Sequence, residues 1–560
     1  MDVQQVSRSR WGRLLTILGV CGLSFFLHGG APAVSLMESR NFVAAREMVA
    51  GGSWLIPTMN GELRLAKPPL PTWAVAAVQQ LTGPTEDLGI LRWPAALAAT
   101  LLVLFFWGLV RELTRTVPGE AANPGRTAWL AALVLASSLL VITTGREGQW
   151  DIFANSLMVG GLWLLVRGWQ REQGGSGSLL GAGVLIGLAI LSKGPVPLYG
   201  LLLPFLLAYL VRQPLHRRLV ARQGWGTAAA AVVALVIGGS WPVYIWSEVA
   251  PAALRVARIE TASWSNRHVQ PLWYYWSFFA FTGLWALVAL AALVKPYAQR
   301  RAAQYIPYVV ALTWLVAGLV LLSLVPEKKE RYMLPLMPPL ALLVAGLLRY
   351  WESTPRSGWR LSDLGLVRGW GALLALVCVA LPVAMAVLGL PGFGFGSTRF
   401  TAAVVLFGGL ASWIVWQGVR RARPVAVMAG TLTVMGSLLA LLMPVYPVWE
   451  GRRDAPGLSH VQDMRRPPAV AGVVSWRSLD TLHVKQVWGA GRAVPIWHPT
   501  LDSLANLRQP VVVLSGSPVG SRLPTGWSRF VHAQVVDSFY LGRDLESGRW
   551  LVSRIDPIRR

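Results

Sequence analysis

Residues 36–73, LMESRNFVAAREMVAGGSWLIPTMNGELRLAKPPLPTW, form a charged segment between two strongly apolar runs of the chain. An apolar run of about 20 residues is long enough to cross the hydrocarbon core of a bilayer as a helix. Ionisable groups beside such runs are costly to keep near the membrane and are therefore candidates for function. The pattern predicts a membrane protein whose chemistry lies in its polar connections.

The composition of the chain agrees with this class. The chain has 560 residues, of which 54% are hydrophobic and 14% charged, whereas soluble domains are about 25% charged. The net charge of +25 comes largely from arginines that interrupt apolar runs, which is typical of membrane topology signals. We therefore expect no nucleic-acid partner. Cys21 and Cys378 both lie in apolar runs, so they predict neither a disulfide framework nor a metal site.

The apolar runs predict the fold class. They begin near residues 13, 89, 127, 151, 178, 196, 226, 273, 305, 332, 369, 399 and 425. We therefore predict an all-α polytopic membrane bundle of about 13 transmembrane helices within residues 1–448. The first exterior connection, 33–88, is expected to contain amphipathic helices.

The charges of the connections predict the topology. Every second connection is basic, beginning with Arg10 and Arg13 and ending with Arg420, Arg421 and Arg423. This alternation predicts a cytoplasmic N-terminus and, after an odd number of crossings, an extracytoplasmic C-terminal region. The first apolar run has some features of a signal peptide, but we expect it to be retained, because its removal would break the alternation.

Residues 449–560 contain no further spanning run. The short apolar stretches VAGVVSW, HVKQVWGAG, PVVVLSG, VHAQVVDSFYLG and WLVSRI are separated by Gly, Pro, Ser and Asp, a pattern that favours strands. We predict a small extracytoplasmic α/β domain here.

The predicted exterior connections carry the informative residues, and the topology places them on one side of the membrane. They are the segment 33–88, the turn before Asp151, the junction at Lys193, the loop 248–272 and VPEKKERYMLP at 325–335. Loops that converge on one face of a bundle can enclose a cavity for an anionic, lipid-linked substrate. Ordinary surface loops explain the charges equally well, so charge alone leaves both interpretations open.

Several motifs resemble those of one superfamily. Glu38 to Met48 reads E-x-R-x-x-x-x-A-R-E-M, and it is followed by G-x-W-x-x-P-x-x-N-G at 52–61 and K-P-P-L at 67–70. Asp151, S-K-G at 192–194, P-x-W-Y-Y at 271–275 and K-x-x-R-Y-x-L-P-x-x-P-P at 328–339 follow in order. Together, over roughly residues 10 to 350, they resemble the GT-C-fold membrane glycosyltransferases of the aminoarabinose transferase and protein O-mannosyltransferase superfamily.

The resemblance implies an activity and a location. It implies transfer of a sugar from a polyprenyl-phosphate donor to a lipid, protein or glycan acceptor, on the extracytoplasmic face of a bacterial inner membrane. The partners would be the lipid-linked donor, the acceptor and membrane lipids. Glu38 and Asp151 would be the catalytic carboxylates. The residues implied in binding the donor phosphate or substrate are Arg40, Lys67, Lys193, Arg267, His268, Lys329, Arg331 and Tyr332.

The chain departs from the family pattern at two positions. The family has an acidic pair where this chain has Met37 and Glu38, and a glutamate where it has Ala66 before Lys67. Glu38 would then act from the adjacent position, or the chemistry would shift to Glu47 or Asp151.

Two other functions stay open, namely a lipid or glycan transporter and a non-catalytic lipid-glycan binding protein of the same fold. Simpler roles also stay open for single residues. Arg46 and Glu47 can form a helix-surface ion pair or cap, Lys193 can extend to the membrane surface, and Arg331 and Tyr332 can anchor a helix end.

We expect activity without a metal cofactor, because the exterior residues offer few hard oxygen ligands and no clustered His or Cys. Sugar transfer by membranes treated with a chelator should equal that of untreated membranes. Loss of transfer that one particular divalent metal restores would contradict this expectation.

Overall fold

The computed structural model describes residues 9–172, 174–212, 214–453, 461–541 and 548–558. Its internal contacts form two compact units. Unit 1 consists of Met1–Gly29, Leu65–Pro71 and Arg92–Pro444, and unit 2 consists of Gly30–Arg64, Thr72–Leu91 and Val445–Arg560. The domains 1–448 and 449–560 stay a prediction, and residues 454–460, 542–547, 559 and 560 of the second lie outside the described residues.

Unit 1 is a helical membrane bundle. The described residues of the chain include nine helical segments that are long and apolar enough to cross a membrane, or eleven if each of two bent pairs counts as one span, and all but the first turn of the first segment lie in unit 1. The nine are Leu88–Thr114, Trp150–Gln170, Ser176–Lys193, Gly224–Ser263, Leu272–Leu293, Glu330–Ser353, Leu361–Val387, Thr398–Arg420 and Pro424–Leu442. The all-α polytopic class is confirmed, and the number of about thirteen spans stays a prediction.

Unit 1 contains further helical elements, of which both bent pairs, the first helix and Tyr308–Leu324 begin close to predicted runs. The bent pairs are Arg126–Ala136 with Leu139–Gly145 and Leu198–Val211 with His216–Arg222. The shorter helices are Arg10–Cys21, which continues as a π-helix over Gly22–Phe26, Lys295–Ala302 and Tyr308–Leu324.

Glycines bring three of these helices into close contact. A Cβ atom on Gly161 or Gly168 of Trp150–Gln170 would lie 2.6 Å from side-chain carbons of Ile186 or Leu179 on Ser176–Lys193. One on Gly187 would lie 2.7 Å from Ile237 of the next helix. Small residues allow such close packing where lipid provides no hydrophobic drive between helices. Because the connection at 171–175 is short, the first two helices run antiparallel, so the start of one lies at the same end of the bundle as the finish of the other.

Unit 2 combines the first polar connection with the C-terminal residues. Its four-stranded sheet has the order Ser475–Ser478, Val511–Ser515, Arg549–Pro557, Val531–Tyr540, with the first pair parallel and the others antiparallel. Its helices are Leu36–Val49, Leu70–Thr82, Leu88–Leu91, Tyr446–Arg453, Val484–Gly489 and Leu501–Ala505. A hairpin pairs Thr58–Met59 with Glu62–Leu63. Along the chain, one boundary between the units follows Pro71, inside Leu70–Thr82, and another precedes Arg92, after Leu88–Leu91.

The helix Leu36–Val49 packs on the C-terminal helix Val484–Gly489 within unit 2. The rings of Phe42 and Trp488 lie 5.6 Å apart, and Nη2 of Arg46 donates to the carbonyl of Val487 at 3.0 Å. Burial lowers the pKa of Arg46 to about 10. Arg46 therefore has a structural role that joins the first connection to the C-terminal part of the chain.

One of the predicted strands is wrong. HVKQVWGAG contains the helix Val484–Gly489, because the backbone N–H of His483 donates to the Gln486 side chain at 2.7 Å and closes a capping box. Such a box stabilises a helix start. Each of the other four stretches overlaps a strand of the sheet, as the sequence predicts.

A buried ion pair stabilises unit 1 away from the glycine contacts. The fully buried carboxylate of Asp363 accepts from Nε of Arg301 at 2.6 Å, from Nη2 of Arg301 at 2.9 Å and from the hydroxyl of Tyr297 at 2.6 Å. Removal of one partner would leave a buried charge without compensation.

We expect Asp363→Asn to destabilise the protein by about 3–5 kcal/mol, because the buried guanidinium of Arg301 loses its counter-ion. The measurement is thermal unfolding of the purified protein in detergent. Asp502→Asn, at an exposed aspartate, is the matched control and should unfold like the parent. Equal unfolding of both variants would contradict the structural role of Asp363.

Candidate active site

The candidate site in unit 1 begins with an ion pair between two adjacent helices. Asp151 lies in the first turn of Trp150–Gln170, and Lys193 is the last residue of Ser176–Lys193. The ammonium of Lys193 donates to Oδ1 of Asp151, and the two side chains are 10% and 6% exposed. Removing a charge from water is costly unless an opposite charge lies close to it. The antiparallel arrangement of the two helices places Asp151 and Lys193 at the same end of the bundle, where each can offset the charge of the other.

The turn before Asp151 is held in place by Arg146. The guanidinium of Arg146 is buried and donates to the carbonyls of Ser24 at 2.9 Å and His28 at 3.1 Å. These carbonyls belong to the end of the first apolar segment. Burial lowers the pKa of Arg146 to about 10. The start of the helix that carries Asp151 is thus fixed to a neighbouring element of the bundle.

The segment 329–332 adds two further cations and an aromatic ring. Nε of Arg331 lies 3.5 Å from Oδ2 of Asp151. The ring centroid of Tyr332 lies 4.7 Å from Nζ of Lys193 and 5.7 Å from Nζ of Lys329. Ammonium groups at such distances are attracted to an aromatic face. The structure therefore brings together five of the predicted site residues, namely Tyr332 and, around it, Asp151, Lys193, Lys329 and Arg331.

The same segment is attached to the loop that carries Arg267 and His268. Val269 forms an antiparallel bridge with Glu327, and the backbone N–H of Lys328 donates to the carbonyl of His268 at 3.1 Å. His268 adopts a positive φ of 49°, which is uncommon for a residue with a side chain. The backbone of this loop is thus fixed beside the segment that carries Lys329, Arg331 and Tyr332.

Lys67 forms an ion pair with Glu260 of the long helix Gly224–Asn266. The Nζ–Oε2 distance is 2.8 Å, and the side chains are 28% and 33% exposed. Lys67 also lies within electrostatic range of Lys193. A partly exposed pair is weak, on the order of 1 kcal/mol or less, so Lys67 can exchange partners at little cost.

Glu38 and Arg40 belong to unit 2. Glu38 is fully buried in the helix Leu36–Val49. Its Oε2 accepts from the backbone N–H of Ser35 at 2.9 Å, and the hydroxyl of Ser35 accepts from the backbone N–H of Glu38 at 3.3 Å. This reciprocal arrangement is a capping box. Nη1 of Arg40 lies 3.9 Å from the sulfur of Met37.

Glu47, the alternative carboxylate of the first connection, holds the hairpin of unit 2. It accepts from the hydroxyl of Thr58 and from the backbone N–H of Asn60, both at 2.6 Å. Glu47 is therefore occupied in joining a helix to the neighbouring turn. Arg46 and Glu47 thus each have a structural contact within unit 2, and an ion pair between them stays a prediction.

Two carboxylates of unit 1, Glu327 and Glu260, were missed as site residues by the sequence reasoning. Glu327 lies inside the VPEKKERYMLP segment, and its position next to the K-x-x-R-Y motif was the available signal. Glu260 gave no such signal, because its partner Lys67 is 193 positions away in the chain. Among the described residues, no three His, Cys, Asp or Glu side chains form a group that could hold a metal ion.

The chain is similar to known proteins in sequence and in structure. Residues 66–246 match the family model described as dolichyl-phosphate-mannose-protein mannosyltransferase. The chain is 26% identical over 427 residues to undecaprenyl phosphate-alpha-4-amino-4-deoxy-L-arabinose arabinosyl transferase 1 of Pseudomonas fluorescens, covering 73% of this chain and 69% of that protein. It is 30% identical over 365 residues to the corresponding transferase of Pseudomonas aeruginosa, covering 61% and 60%.

A solved structure resembles the chain over nearly its whole length. The crystal structure of ArnT from Cupriavidus metallidurans bound to undecaprenyl phosphate covers 97% of this chain and 98% of its own, with a TM-score of 0.69 and 18% identity. This likeness shows the fold. In sequence and in fold, the chain is similar to the aminoarabinose transferases and protein O-mannosyltransferases of the GT-C superfamily. The superfamily resemblance stated from the motifs is thereby confirmed.

The capping box of Glu38 supplies a test of its structural role. We expect Glu38→Gln to unfold like the parent, because Gln also completes such a box. Ser35→Ala and Glu38→Ala should each lose about 1 kcal/mol of stability, because a capping contact is removed. Thermal unfolding in detergent measures both effects.

Glu62→Ala is the matched control for the capping variants, since Glu62 is an exposed glutamate of the same connection. If Ser35→Ala unfolded like Glu62→Ala, the capping box would contribute nothing to unit 2.

Proposed function

We propose that the protein is an integral membrane glycosyltransferase that moves a sugar from a polyprenyl-phosphate donor to an acceptor hydroxyl. The relatives named above act on an undecaprenyl phosphate sugar, and we propose undecaprenyl phosphate as the lipid carrier here. The acceptor is a lipid, protein or glycan on the extracytoplasmic face of a bacterial inner membrane. The N-terminus is cytoplasmic, and the C-terminal domain and the site are extracytoplasmic.

The observation that carries this proposal is the group of charges around Tyr332. Three cations, Lys193, Lys329 and Arg331, lie within 5.7 Å of one aromatic ring at the ends of apolar helices. Ionisable groups so placed are costly and are usually kept for function. Cations in fixed positions stabilise the charge that a phosphate gains as it leaves.

In the proposed reaction the bond between the sugar C1 and the phosphate oxygen breaks with its electron pair on the phosphate. The acceptor oxygen forms the new bond to C1, and its proton passes to a carboxylate. Lys67, Arg331, Lys193 and Lys329 bind the phosphate, with Arg40, Arg267 and His268 as further substrate contacts, and Tyr332 donates a hydrogen bond beside it. The proposed reaction uses no metal.

The carboxylates Glu38 and Asp151 take different parts in this proposal. Asp151 is paired with Lys193 and Arg331, which suits a carboxylate that orients the cations and the sugar. Glu38 is the proposed acid/base carboxylate, and in that role it would exchange its capping contact with Ser35 for the substrate. Proton transfer by a positioned group is commonly worth about 10²- to 10⁴-fold in rate.

We expect Glu38→Gln and Asp151→Asn each to lower sugar transfer by about 10²-fold or more. The measurement is transfer from a radiolabelled undecaprenyl-phosphate sugar in membranes, normalised to the amount of protein present. Glu62→Gln, at an exposed glutamate, should transfer like the parent.

Each outcome of this assay has a definite meaning. Transfer by both variants at the parental rate would overturn the residue assignment while leaving the activity intact. A parent that transferred no sugar from any donor would overturn the activity and favour a lipid or glycan transporter, or a non-catalytic binding protein with Met37 and Ala66 in place of the expected carboxylates.

A further inference from the structure

Glu327 is a buried carboxylate to which the proposed reaction gives no role. The residue is 8% exposed and lies two positions before Lys329 at the beginning of the segment that ends in Tyr332. Its Oε1 accepts from Nζ of Lys329 at 2.6 Å and from the hydroxyl of Tyr332 at 3.4 Å. Glu327 therefore contacts two of the proposed phosphate-binding groups at once.

The backbone of Glu327 is fixed independently of these contacts. It forms the bridge with Val269, and the neighbouring Lys328 directs its ammonium to the carbonyls of Gln270 at 3.0 Å and Val325 at 2.8 Å. Lys328 is thus occupied in joining two loops, which leaves Lys329 as the cation of this pair that faces Tyr332. A substitution at Glu327 changes the side-chain contacts while the bridge and the Lys328 contacts remain.

The charges around Tyr332 explain why a second carboxylate is needed there. The ammonium groups of Lys193 and Lys329 both approach the same ring, and like charges so close together repel each other. Asp151 offsets the charge of Lys193, and Glu327 offsets that of Lys329. Each ammonium is consequently held between a carboxylate and the tyrosine ring.

The nearby Glu330 differs from Glu327 in its burial and in its contacts. It lies one position after Lys329 and is exposed, and it begins the 3₁₀ helix Glu330–Leu336. The chain therefore offers a glutamate of nearly the same sequence environment whose burial and contacts differ from those of Glu327.

We propose that Glu327 is a positioning residue of the transfer reaction, which holds the Lys329 ammonium beside the Tyr332 ring, where the leaving phosphate gains its charge. This inference rests on the proposed function. Glu327 acts through Lys329 and Tyr332 and does not itself contact the donor.

The charge of Glu327 gives the proposal a specific kinetic signature. Its removal leaves the site one charge more positive, so attraction of the anionic donor does not weaken and the donor KM does not rise. The value of kcat falls, because a misplaced group beside the reacting atoms costs about 10- to 100-fold in rate. Substitution of a residue that only supported the fold would instead lower the amount of folded protein. The protein that still folded would keep the parental KM and the parental kcat.

The test compares Glu327→Gln with Glu330→Gln in the full-length protein, using a radiolabelled undecaprenyl-phosphate sugar as the donor. We expect kcat of Glu327→Gln, per mole of folded protein, to fall about 10-fold or more with no rise in the donor KM. Glu330→Gln should keep both parental values. An unchanged kcat in Glu327→Gln, or a raised KM with an unchanged kcat, would overturn the positioning role.

A double-mutant cycle shows whether Glu327 acts through Lys329. If it does, adding Glu327→Gln to Lys329→Met should lower kcat less than about twofold further, because the group that Glu327 holds is already gone, whereas independent effects multiply. Adding Glu330→Gln to Lys329→Met is the matched control and should leave the kcat of Lys329→Met unchanged. Full multiplication in the Glu327 cycle would overturn the proposed route through Lys329.

Glu327→Asp covers the case in which Glu327→Gln fails to fold. It keeps the charge one methylene further from Lys329, so we expect kcat between those of the parent and Glu327→Gln, or a clearly lowered kcat if Glu327→Gln cannot be obtained. A parental kcat in both Glu327→Asp and Glu327→Gln would contradict the positioning role of Glu327 and leave the proposed function standing. A parent without transfer would overturn the proposed function, and this inference with it.

Discussion

The buried ion pair between Asp151 and Lys193 is the interaction on which the candidate site depends. It joins the beginning of one membrane helix to the end of the next. In a medium of low dielectric each charge would be very costly without the other. The glycine contacts between the two helices hold this pair in register, and Arg331 then approaches the second oxygen of Asp151. The positions of Tyr332 and Lys329 follow from that arrangement.

Every cation proposed for the phosphate in unit 1 has a carboxylate partner, and the pairs differ in strength. Lys193 and Arg331 share the buried Asp151, and Lys329 pairs with the buried Glu327. Lys67 pairs with the partly exposed Glu260, and such a pair is weak. A phosphate that enters the site therefore competes least with a carboxylate at Lys67. The buried pairs keep the remaining cations in position, because separating a buried pair costs more free energy than separating an exposed one.

The first connection carries the most specific motif, and within unit 2 much of that motif has a structural role. Arg46 donates to the carbonyl of Val487, Glu47 holds the hairpin and Glu38 closes a capping box. Asn60 has a positive φ of 59° and Gly61 one of 79°, as the tight turn of an Asn-Gly hairpin requires. The resemblance of this segment to a superfamily motif is thus compatible with folding as well as with catalysis.

The sequence by itself determined the membrane class, the approximate start of most membrane helices and the resemblance to one superfamily, because length, hydropathy and local motifs are properties of neighbouring residues. It also placed Asp151, Lys193, Arg331 and Tyr332 among the site residues. The helix Val484–Gly489 was predicted as a strand, since a short apolar run does not distinguish the two and its capping box decided the outcome. Only the tertiary structure revealed that Glu260 and Glu327 belong with Lys67 and Lys329. Ion pairs depend on which side chains face each other in space, and the pairing of Lys67 with Glu260 spans 193 positions of chain.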